Sequence, residues 1–139
     1  MRILILHVDH FSSTITEKGR SKIVENPSSK TADVDEALLI LASGEKQDES
    51  HLDNTAEKAV DEIAKLANQL KVKTIVIHPF AHLFAEMSSP EIALKTLKLT
   101  EEGLVRRSFN VIRTPFGWFN TLELKAKGHP LSRVARIIS

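Results

Sequence analysis

Two short apolar runs near the start of the chain predict buried β-strands. Residues 2–8 (RILILHV) and 37–42 (ALLILA) are rich in leucine, isoleucine and valine, have the length of a strand and are bounded by polar residues. Residues 14–16 are expected to pair with the first run as a hairpin strand. Residues 18–35 contain glycine, proline and adjacent serines, which predicts a loop.

A helical period appears in two later segments. Residues 47–54 are polar and are expected to form an exposed connection, with Asn54 as the N-cap of a helix over residues 55–70 and Glu57 completing a capping box. Pro90 suits the first turn of a second helix. Apolar residues spaced three and four apart define the two buried faces: Ala56, Val60, Ile63, Ala67 and Leu70 on the first, and Ile92, Leu94, Leu97 and Leu104 on the second.

The remaining apolar segments complete the predicted sheet. Residues 74–77 (TIVI) form a strand between the helices, residues 109–112 and 119–124 form two closing strands, and residues 134–138 are expected to open a short helix. The order β-β-β-α-β-α-β-β predicts an α/β fold, a single-domain sandwich with a mixed β-sheet and two main helices. The apolar ending is expected of a domain, residues 1–139, that is excised from a longer polypeptide.

Composition narrows the possible chemistry. The chain has 139 residues, of which 42% are apolar, and it contains no cysteine. Thiolate catalysis, disulfides and cysteine zinc sites are therefore excluded. No apolar run approaches the roughly 20 residues that a membrane span needs, so we expect neither a membrane span nor a secretory signal, and no membrane partner. The absence of cysteine fits a cytoplasmic protein.

The net charge of +1 hides an uneven distribution. Residues 1–103 carry 12 basic and 17 acidic side chains, whereas residues 104–139 carry seven basic and one acidic. Such asymmetry can mark a face that meets an anion. Salt bridges between the two parts of the chain are the alternative explanation.

Histidines offer two candidate sites. His7, Asp9 and His10 are close in sequence, but a metal ion needs three or four converging ligands, and hydrogen-bonded histidines at strand ends are commoner. His78 and His82 flank a segment that follows a predicted strand, where α/β folds usually bind ligands. An imidazole there could orient a water molecule or a ribose hydroxyl; a packed loop is the alternative.

Two further segments stand out. The aromatic turn, residues 114–119 (TPFGWF), holds three aromatic rings that could stack on a nucleobase or form a corner of the core. The basic turn, residues 125–131 (KAKGHPL), could bind a phosphate or be simply solvated. The chain has no Walker A, G-x-G-x-x-G, H-E-x-x-H or G-x-S-x-G motif, which disfavours P-loop ATPases, Rossmann dehydrogenases and serine hydrolases.

Four segments in this order, M-R-I-L-I-L-H-V-D-H, H-P-F-A-H-L, T-P-F-G-W-F and K-G-H-P-L, resemble the N-terminal editing domain of archaeal threonyl-tRNA synthetases over essentially the whole chain. The resemblance implies a fold like that of D-aminoacyl-tRNA deacylases. It also implies a proofreading hydrolase that removes serine from Ser-tRNA(Thr), assisted by the 2′-OH of the terminal adenosine. The implied partner is the tRNA(Thr) acceptor end, bound by a homodimer. No cofactor is implied for editing, because ATP, magnesium and zinc would belong to the synthetase's catalytic domain.

The resemblance assigns roles to particular residues. His82, Asn120 and Arg133 fall at catalytic positions. The implied substrate-binding residues are Ser43, Gly44, Glu45, Ala81, Phe116, Gly117 and Phe119, and the implied RNA-binding residues are Lys125, Lys127 and His129.

Two of the catalytic positions depart from the family pattern. Asn120 stands where the family commonly has lysine, and Arg133 stands where it commonly has glutamate. An asparagine can hydrogen-bond a water molecule but carries no charge, and Arg133 is a candidate to supply the missing cation. The leading hypothesis is an active editing hydrolase. The two departures favour a second hypothesis, a non-catalytic tRNA-binding appendage, and the histidine clusters a third, a metal-dependent hydrolase of another substrate.

Overall fold

The computed structural model describes residues 1–81, 83 and 86–139, and these form one mixed sheet covered by two helices. The candidate His82 lies outside the described residues. The strands and helices in chain order are β1 (Arg2–Lys18), β2 (Thr31–Val34), β3 (Ala37–Ser43), a 3₁₀ helix (Lys46–Ser50), α1 (Leu52–Leu70), β4 (Thr74–Pro79), α2 (Pro90–Arg106), β5 (Asn110–Arg113), β6 (Trp118–Ala126) and β7 (Arg133–Ile137).

The 17-residue strand β1 organises the sheet. Its first half lies between β3 and β7, and its second half lies between β2 and β6, all four antiparallel to it. The register with β6 shifts between Val8 and His10 and again between Ile15 and Glu17, and such bulges bend a strand. On the other side, β3, β4 and β5 run parallel. This arrangement confirms the predicted α/β sandwich with a mixed sheet.

The core has two parts, one on each face of the sheet. The larger part joins α1 and α2 to β1, β3 and β4, and includes Ile5, Ile40, Ile63 and Leu97. A smaller cluster around Phe11 covers the other face. All seven residues of β3 are buried, as its continuous apolar run predicts for a strand covered on both faces.

The predicted hairpin and loop near the start of the chain were wrong. Residues 14–16 continue β1 and do not form a separate strand, because β2 and β6 supply hydrogen-bonding partners along this polar half. The segment predicted as a loop contains β2, which pairs with residues 11–14.

The start of the first helix also differs from the prediction. α1 begins at Leu52 with His51 as its N-cap, so Asn54 lies inside the helix. The preceding segment is not an exposed connection, since Asp48 is fully buried and accepts hydrogen bonds from the Met1 ammonium (2.7 Å) and the Glu45 amide (2.8 Å).

The predicted C-terminal helix is a strand. β7 pairs with the first half of β1, and the amide of Ile138 donates to the carbonyl of Met1 at 2.8 Å. Val134 and Ile138 are buried in the larger core. A short run of β-branched residues fits a strand better than a helix once a neighbouring strand offers hydrogen bonds.

The second helix agrees with its prediction. Pro90 occupies its first turn, and the side chain of the N-cap Ser89 accepts a hydrogen bond from the amide of Ile92. Neither α1 nor α2, nor any other helix in the described part of the chain, is long and apolar enough to cross a membrane.

Candidate active site

A cavity of about 870 Å³ opens where the parallel strands β3 and β4 end. Ser43 and Pro79 are the last residues of these two strands, and both line the cavity. The aromatic turn and the first turns of α2 also line the cavity, and we call the former the aromatic wall. Residues 19–21, which follow β1 and include the exposed Arg20, line it too and are called the mouth. A ligand site at the carboxyl ends of parallel strands is the usual arrangement in α/β folds.

Small residues and main-chain groups form the floor of the cavity. The Ser43 hydroxyl donates to the carbonyl of Ala81 at 3.0 Å, and the Gly44 carbonyl accepts from the amide of Ser88 at 3.2 Å. A Cβ on Gly44 would lie 2.8 Å from the Ser88 hydroxyl oxygen and 3.1 Å from Ala93. Gly44 therefore lets the start of α2 approach β3 closely, and any side chain here would displace it.

The aromatic turn depends on a glycine with an unusual conformation. Gly117 has a φ of +90°, and a Cβ there would lie 2.5 Å from the carbonyl oxygen of Ile23. Its own carbonyl accepts from the amide of Gly19 at 2.8 Å. Phe116 packs against the core, whereas Phe119 is 52% exposed beside the cavity. The turn thus places one ring inside and leaves one available for contact.

Glu25 holds the aromatic turn in place. Its carboxylate accepts two hydrogen bonds from Arg113 (2.6 and 3.0 Å) and one from the Phe116 amide (2.8 Å), while its carbonyl accepts from the Trp118 indole at 2.7 Å. Burial would raise the pKa of Glu25, but the hydrogen bonds from Arg113 and Phe116 outweigh burial and lower it. The Glu25 carboxylate is therefore stabilised in its charged form next to the aromatic turn.

A neutral histidine lies beneath the cavity next to Asn120. His78 is buried, with Nδ1 2.8 Å from the Thr114 hydroxyl, and both His78 and Asn120 line the cavity. Burial lowers the pKa of His78 to about 4, against a smaller opposing effect of hydrogen bonding to Asn120. At neutral pH the imidazole is uncharged and can donate or accept a hydrogen bond but brings no charge to the site.

Seven of the predicted site residues meet at this cavity. They are Ser43, Gly44, Ala81, Phe116, Gly117, Phe119 and Asn120.

Glu45 and Arg133 are not among the described residues that line the cavity. The Glu45 carboxylate is buried and contacts the Met1 ammonium at 3.3 Å and Nε of Arg2 at 3.0 Å. Arg133 is exposed at the start of β7, opposite Leu6. Ser43 pairs with Arg2, at the other end of this part of β1. Arg133 therefore lies at the end of β7 that is farther from Ser43.

The predicted RNA-binding residues lie near the other end of β3. The Lys127 ammonium contacts Asp9 at 2.6 Å and Glu36 at 3.0 Å, and the hydrogen bond to Asp9, then that to Glu36, raises its pKa. Nε2 of His129 lies 2.8 Å from Nδ1 of His7. Lys125 is exposed, and its side chain makes no ion pair with the part of the chain that the structure describes.

Salt bridges to the acidic first part of the chain neutralise much of the positive charge of residues 104–139. Four of the seven basic residues in the last part of the chain contact carboxylates of the first part: Arg107 with Asp61, Arg113 with Glu25 and Glu101, Lys127 with Asp9 and Glu36, and Arg136 with Glu62.

The side chains of the first candidate metal cluster diverge. His7 turns to His129 and to Glu36, at 3.2 Å, whereas Nε2 of His10 lies 3.1 Å from Asp33. Over residues 1–81, 83 and 86–139, no three histidine, aspartate or glutamate side chains are grouped as metal ligands would be.

The sequence missed two residues of the site. Glu25 and Arg20 both lie in the polar segment predicted as a loop, one behind the aromatic turn and one at the mouth of the cavity. No local pattern marks either of them, because the partners of Glu25, and the turn that holds the backbone next to Arg20, lie far away in the chain.

Comparisons with known proteins agree with this architecture. Residues 1–138 match the family described as the Archaea-specific editing domain of threonyl-tRNA synthetase. The chain is 44% identical over 138 residues to the threonine–tRNA ligase of Methanocaldococcus jannaschii and 39% identical over 140 residues to that of Methanopyrus kandleri. These alignments cover 99% and 100% of this chain and 22% of each ligase, so the chain spans about a fifth of the curated relatives it matches.

Two solved structures share the fold. One is described as c-Myc DNA Unwinding Element Binding Protein (TM-score 0.65, 12% identity, 99% of this chain and 98% of that chain). The other is a probable eukaryotic D-amino acid tRNA deacylase (TM-score 0.58, 11% identity, 97% and 98%). The sheet, the helices and the family match over nearly every residue lead to one conclusion: the chain belongs to the Archaea-specific editing domain family of threonyl-tRNA synthetase.

Proposed function

We propose that this domain hydrolyses the ester that joins serine to tRNA(Thr). The observation that carries the proposal is the cavity of about 870 Å³, which combines a floor of small residues with an aromatic wall. Its volume lies in the upper part of the range of roughly 300–1,000 Å³ for ligand sites. It can therefore admit an aminoacylated nucleotide rather than an amino acid alone, with Phe116 and Phe119 beside the adenosine.

The need for such a site follows from the size of the substrates. Serine and threonine differ by one methyl group, which is worth only about 1–3 kcal/mol in a binding pocket. A second site that excludes the larger side chain increases the discrimination. We place this selection at the floor of the cavity, which the small residues Ser43, Gly44 and Ala81 line.

The reaction needs no protein nucleophile. The hydroxyls of Ser43 and Ser88 both donate to main-chain carbonyls, those of Ala81 and Ser89, so neither is aligned with a base in the described structure. We infer that the 2′-OH of the terminal adenosine positions a water molecule. The water oxygen attacks the ester carbonyl carbon, the bond to O3′ breaks, the 3′-oxygen takes a proton, and serine leaves as a carboxylate with loss of its proton to solvent.

In this mechanism the chain contributes orientation and dipoles rather than charge transfer. Ala81 lines the cavity, and Asn120 can hydrogen-bond the water or a ribose hydroxyl. Preorganised donors of this kind can supply a large part of a rate enhancement.

Deacylation of matched substrates tests the proposal. The purified chain is expected to release serine rapidly from Ser-tRNA(Thr) and to leave Thr-tRNA(Thr) intact, with the same rate in the presence of a chelator. Binding of tRNA without release of serine would instead support the non-catalytic appendage, to which the replacement of the family's lysine by Asn120 points. Loss of activity with a chelator would support a metal-dependent hydrolase.

A modified substrate tests the role of the ribose. Ser-tRNA(Thr) ending in 2′-deoxyadenosine and charged on its 3′-OH is expected to resist hydrolysis, and normal turnover would refute substrate assistance. His82→Ala is expected to reduce the rate by less than removal of the hydroxyl does.

The proposed partner is the acceptor end of tRNA(Thr) carrying serine, bound in the cytoplasm by a homodimer. Strand β6 runs from the cavity at Trp118 to Ala126 and carries Lys125 about 10 Å beyond Leu122, at roughly 3.3 Å per residue. This supports an RNA path along β6 towards the basic turn. Light scattering of the purified chain would test the dimer.

A further inference from the structure

Arg20 lies at the mouth of the cavity, on a segment that is fixed against the aromatic turn. The amide of Gly19 donates to the carbonyl of Gly117 at 2.8 Å, and a Cβ on Gly19 would lie 2.8 Å from that same oxygen. Five residues after Arg20, the amide of Glu25 donates to the carbonyl of Phe116 at 3.0 Å. Contacts on both sides therefore hold the backbone that carries Arg20.

Arg20 is the one formally charged side chain among the described residues that line the cavity. It is exposed, and its guanidinium has no ion pair or side-chain hydrogen bond within residues 1–81, 83 and 86–139. The other arginine behind this wall, Arg113, is bound by Glu25 and Glu101. Since His78 is neutral at pH 7, its pKa being about 4, Arg20 supplies the positive charge that the described part of the lining offers to a ligand.

The rest of the lining is suited to the uncharged parts of a nucleotide. Phe116 and Phe119 can contact a base, and the floor around Gly44 consists of small residues and main-chain groups. A terminal adenosine held by these groups carries one anion, the phosphate that joins it to the preceding nucleotide. Guanidinium groups bind phosphate through two parallel hydrogen bonds.

We propose that Arg20 binds the phosphate group on the 5′ side of the terminal adenosine and so positions the nucleotide in the cavity. This rests on the proposed function, because it takes the aminoacylated end of tRNA as the ligand. Arg20 is a binding and positioning residue, and the cation of the site comes from the loop after β1 rather than from Arg133.

Binding of two small probes tests the proposal without any reaction. The dinucleotide cytidylyl-(3′→5′)-adenosine contains the phosphate, and adenosine lacks it. The wild-type chain is expected to bind the dinucleotide more tightly than adenosine. Arg20→Ala should weaken dinucleotide binding about tenfold and leave adenosine binding unchanged, while Arg20→Lys retains part of the preference.

The matched control is Lys22→Ala. Lys22 is exposed on the same loop, carries the same charge and does not line the cavity. Its removal should change dinucleotide affinity less than twofold. With single-stranded RNA, Arg20→Ala should also reduce the slope of log affinity against log salt by about 0.7. A wild-type chain with no preference for the dinucleotide, or equal effects of Arg20→Ala and Lys22→Ala, would overturn the proposal.

Kinetics separate this inference from the proposed function. Arg20→Ala should lower kcat/KM about tenfold on Ser-tRNA(Thr) but leave hydrolysis of 3′-O-seryl-adenosine, which has no phosphate, unchanged. An equal loss on both substrates would contradict a phosphate contact. If the wild-type chain hydrolyses neither substrate, the proposed function fails, and the binding probes still decide whether Arg20 recognises phosphate.

Discussion

The cavity end and the basic-turn end of the molecule differ in what their charged groups contact. At the cavity, Arg20 has no acidic partner among the described residues, and His78 is neutral. At the basic turn, Lys127 lies between two carboxylates and His129 is hydrogen-bonded to His7. A count of basic residues along the chain therefore overstates the cations available at the basic turn, where, among the described residues, Lys127 is paired with carboxylates and Lys125 is not. Pairing across the sheet, rather than local charge density, decides which cation can meet an anion.

The largest expected effect is on stability, and it distinguishes Gly117 of the aromatic turn from Gly128 of the basic turn. Gly117→Ala places a Cβ 2.5 Å from the Ile23 carbonyl at a φ of +90° and should lower the free energy of unfolding by about 2–5 kcal/mol. Gly128→Ala is the matched control, because a Cβ at Gly128 meets nothing within 4 Å. Urea denaturation measures both variants. Equal stabilities would show that the aromatic turn does not need its glycine.

A second contrast is the effect of pH on stability, which differs between His78 at the cavity end and His7 at the basic-turn end. The pKa of His78 is about 4 in the folded chain and near 6.5 when unfolded, so between these values only the unfolded chain binds the proton. Stability is therefore fully present above pH 6.5 and falls as the pH decreases, by about 2 kcal/mol between pH 7 and pH 5 at roughly 1.4 kcal/mol per pKa unit.

The variant His78→Asn should flatten this pH dependence, measured by urea denaturation at pH 7 and pH 5. Burial also lowers the pKa of His7, but Glu36 acts against burial there. His7→Asn should therefore flatten the dependence less than His78→Asn does. The reverse order would contradict the burial-dominated environment of His78.

The smallest expected effect concerns the lysines of the basic turn. Lys125→Ala should weaken binding of tRNA about two- to threefold, because Lys125 has no ion pair with described residues. Lys127→Ala should have a smaller effect, since Asp9 and Glu36 already neutralise its charge. Filter binding at two salt concentrations measures both. A stronger effect at Lys127 would mean that RNA displaces its carboxylate partners.

Local patterns predicted the elements whose neighbours in sequence are also their neighbours in space. The helical period of residues 55–70 and the apolar run of β3 required no knowledge of distant residues, and both were confirmed. The continuation of β1 through polar residues 12–14 depends on pairing with β2 and β6. Its length therefore could not be read from its own sequence.

The C-terminal strand shows the same limit. The spacing of Val134, Ile137 and Ile138 fits either a helix or a strand. The segment forms a strand because it can pair with the first half of β1. In the site, the motif segments located the floor and the aromatic wall. Glu25 could not be found because its partner Arg113 lies 88 positions away, and Arg20 could not be found because its segment is placed beside the cavity by a contact between Gly19 and Gly117.

The contacts of Glu25 determine when the site can form during synthesis. Glu25 is separated from Arg113 by 88 positions and from Trp118 by 93, and contacts over such distances are slow to form because a long loop must close first. A growing chain that ends before residue 114 contains β3 and β4 but lacks the whole aromatic turn. The cavity is therefore among the last parts of the domain to be completed during synthesis.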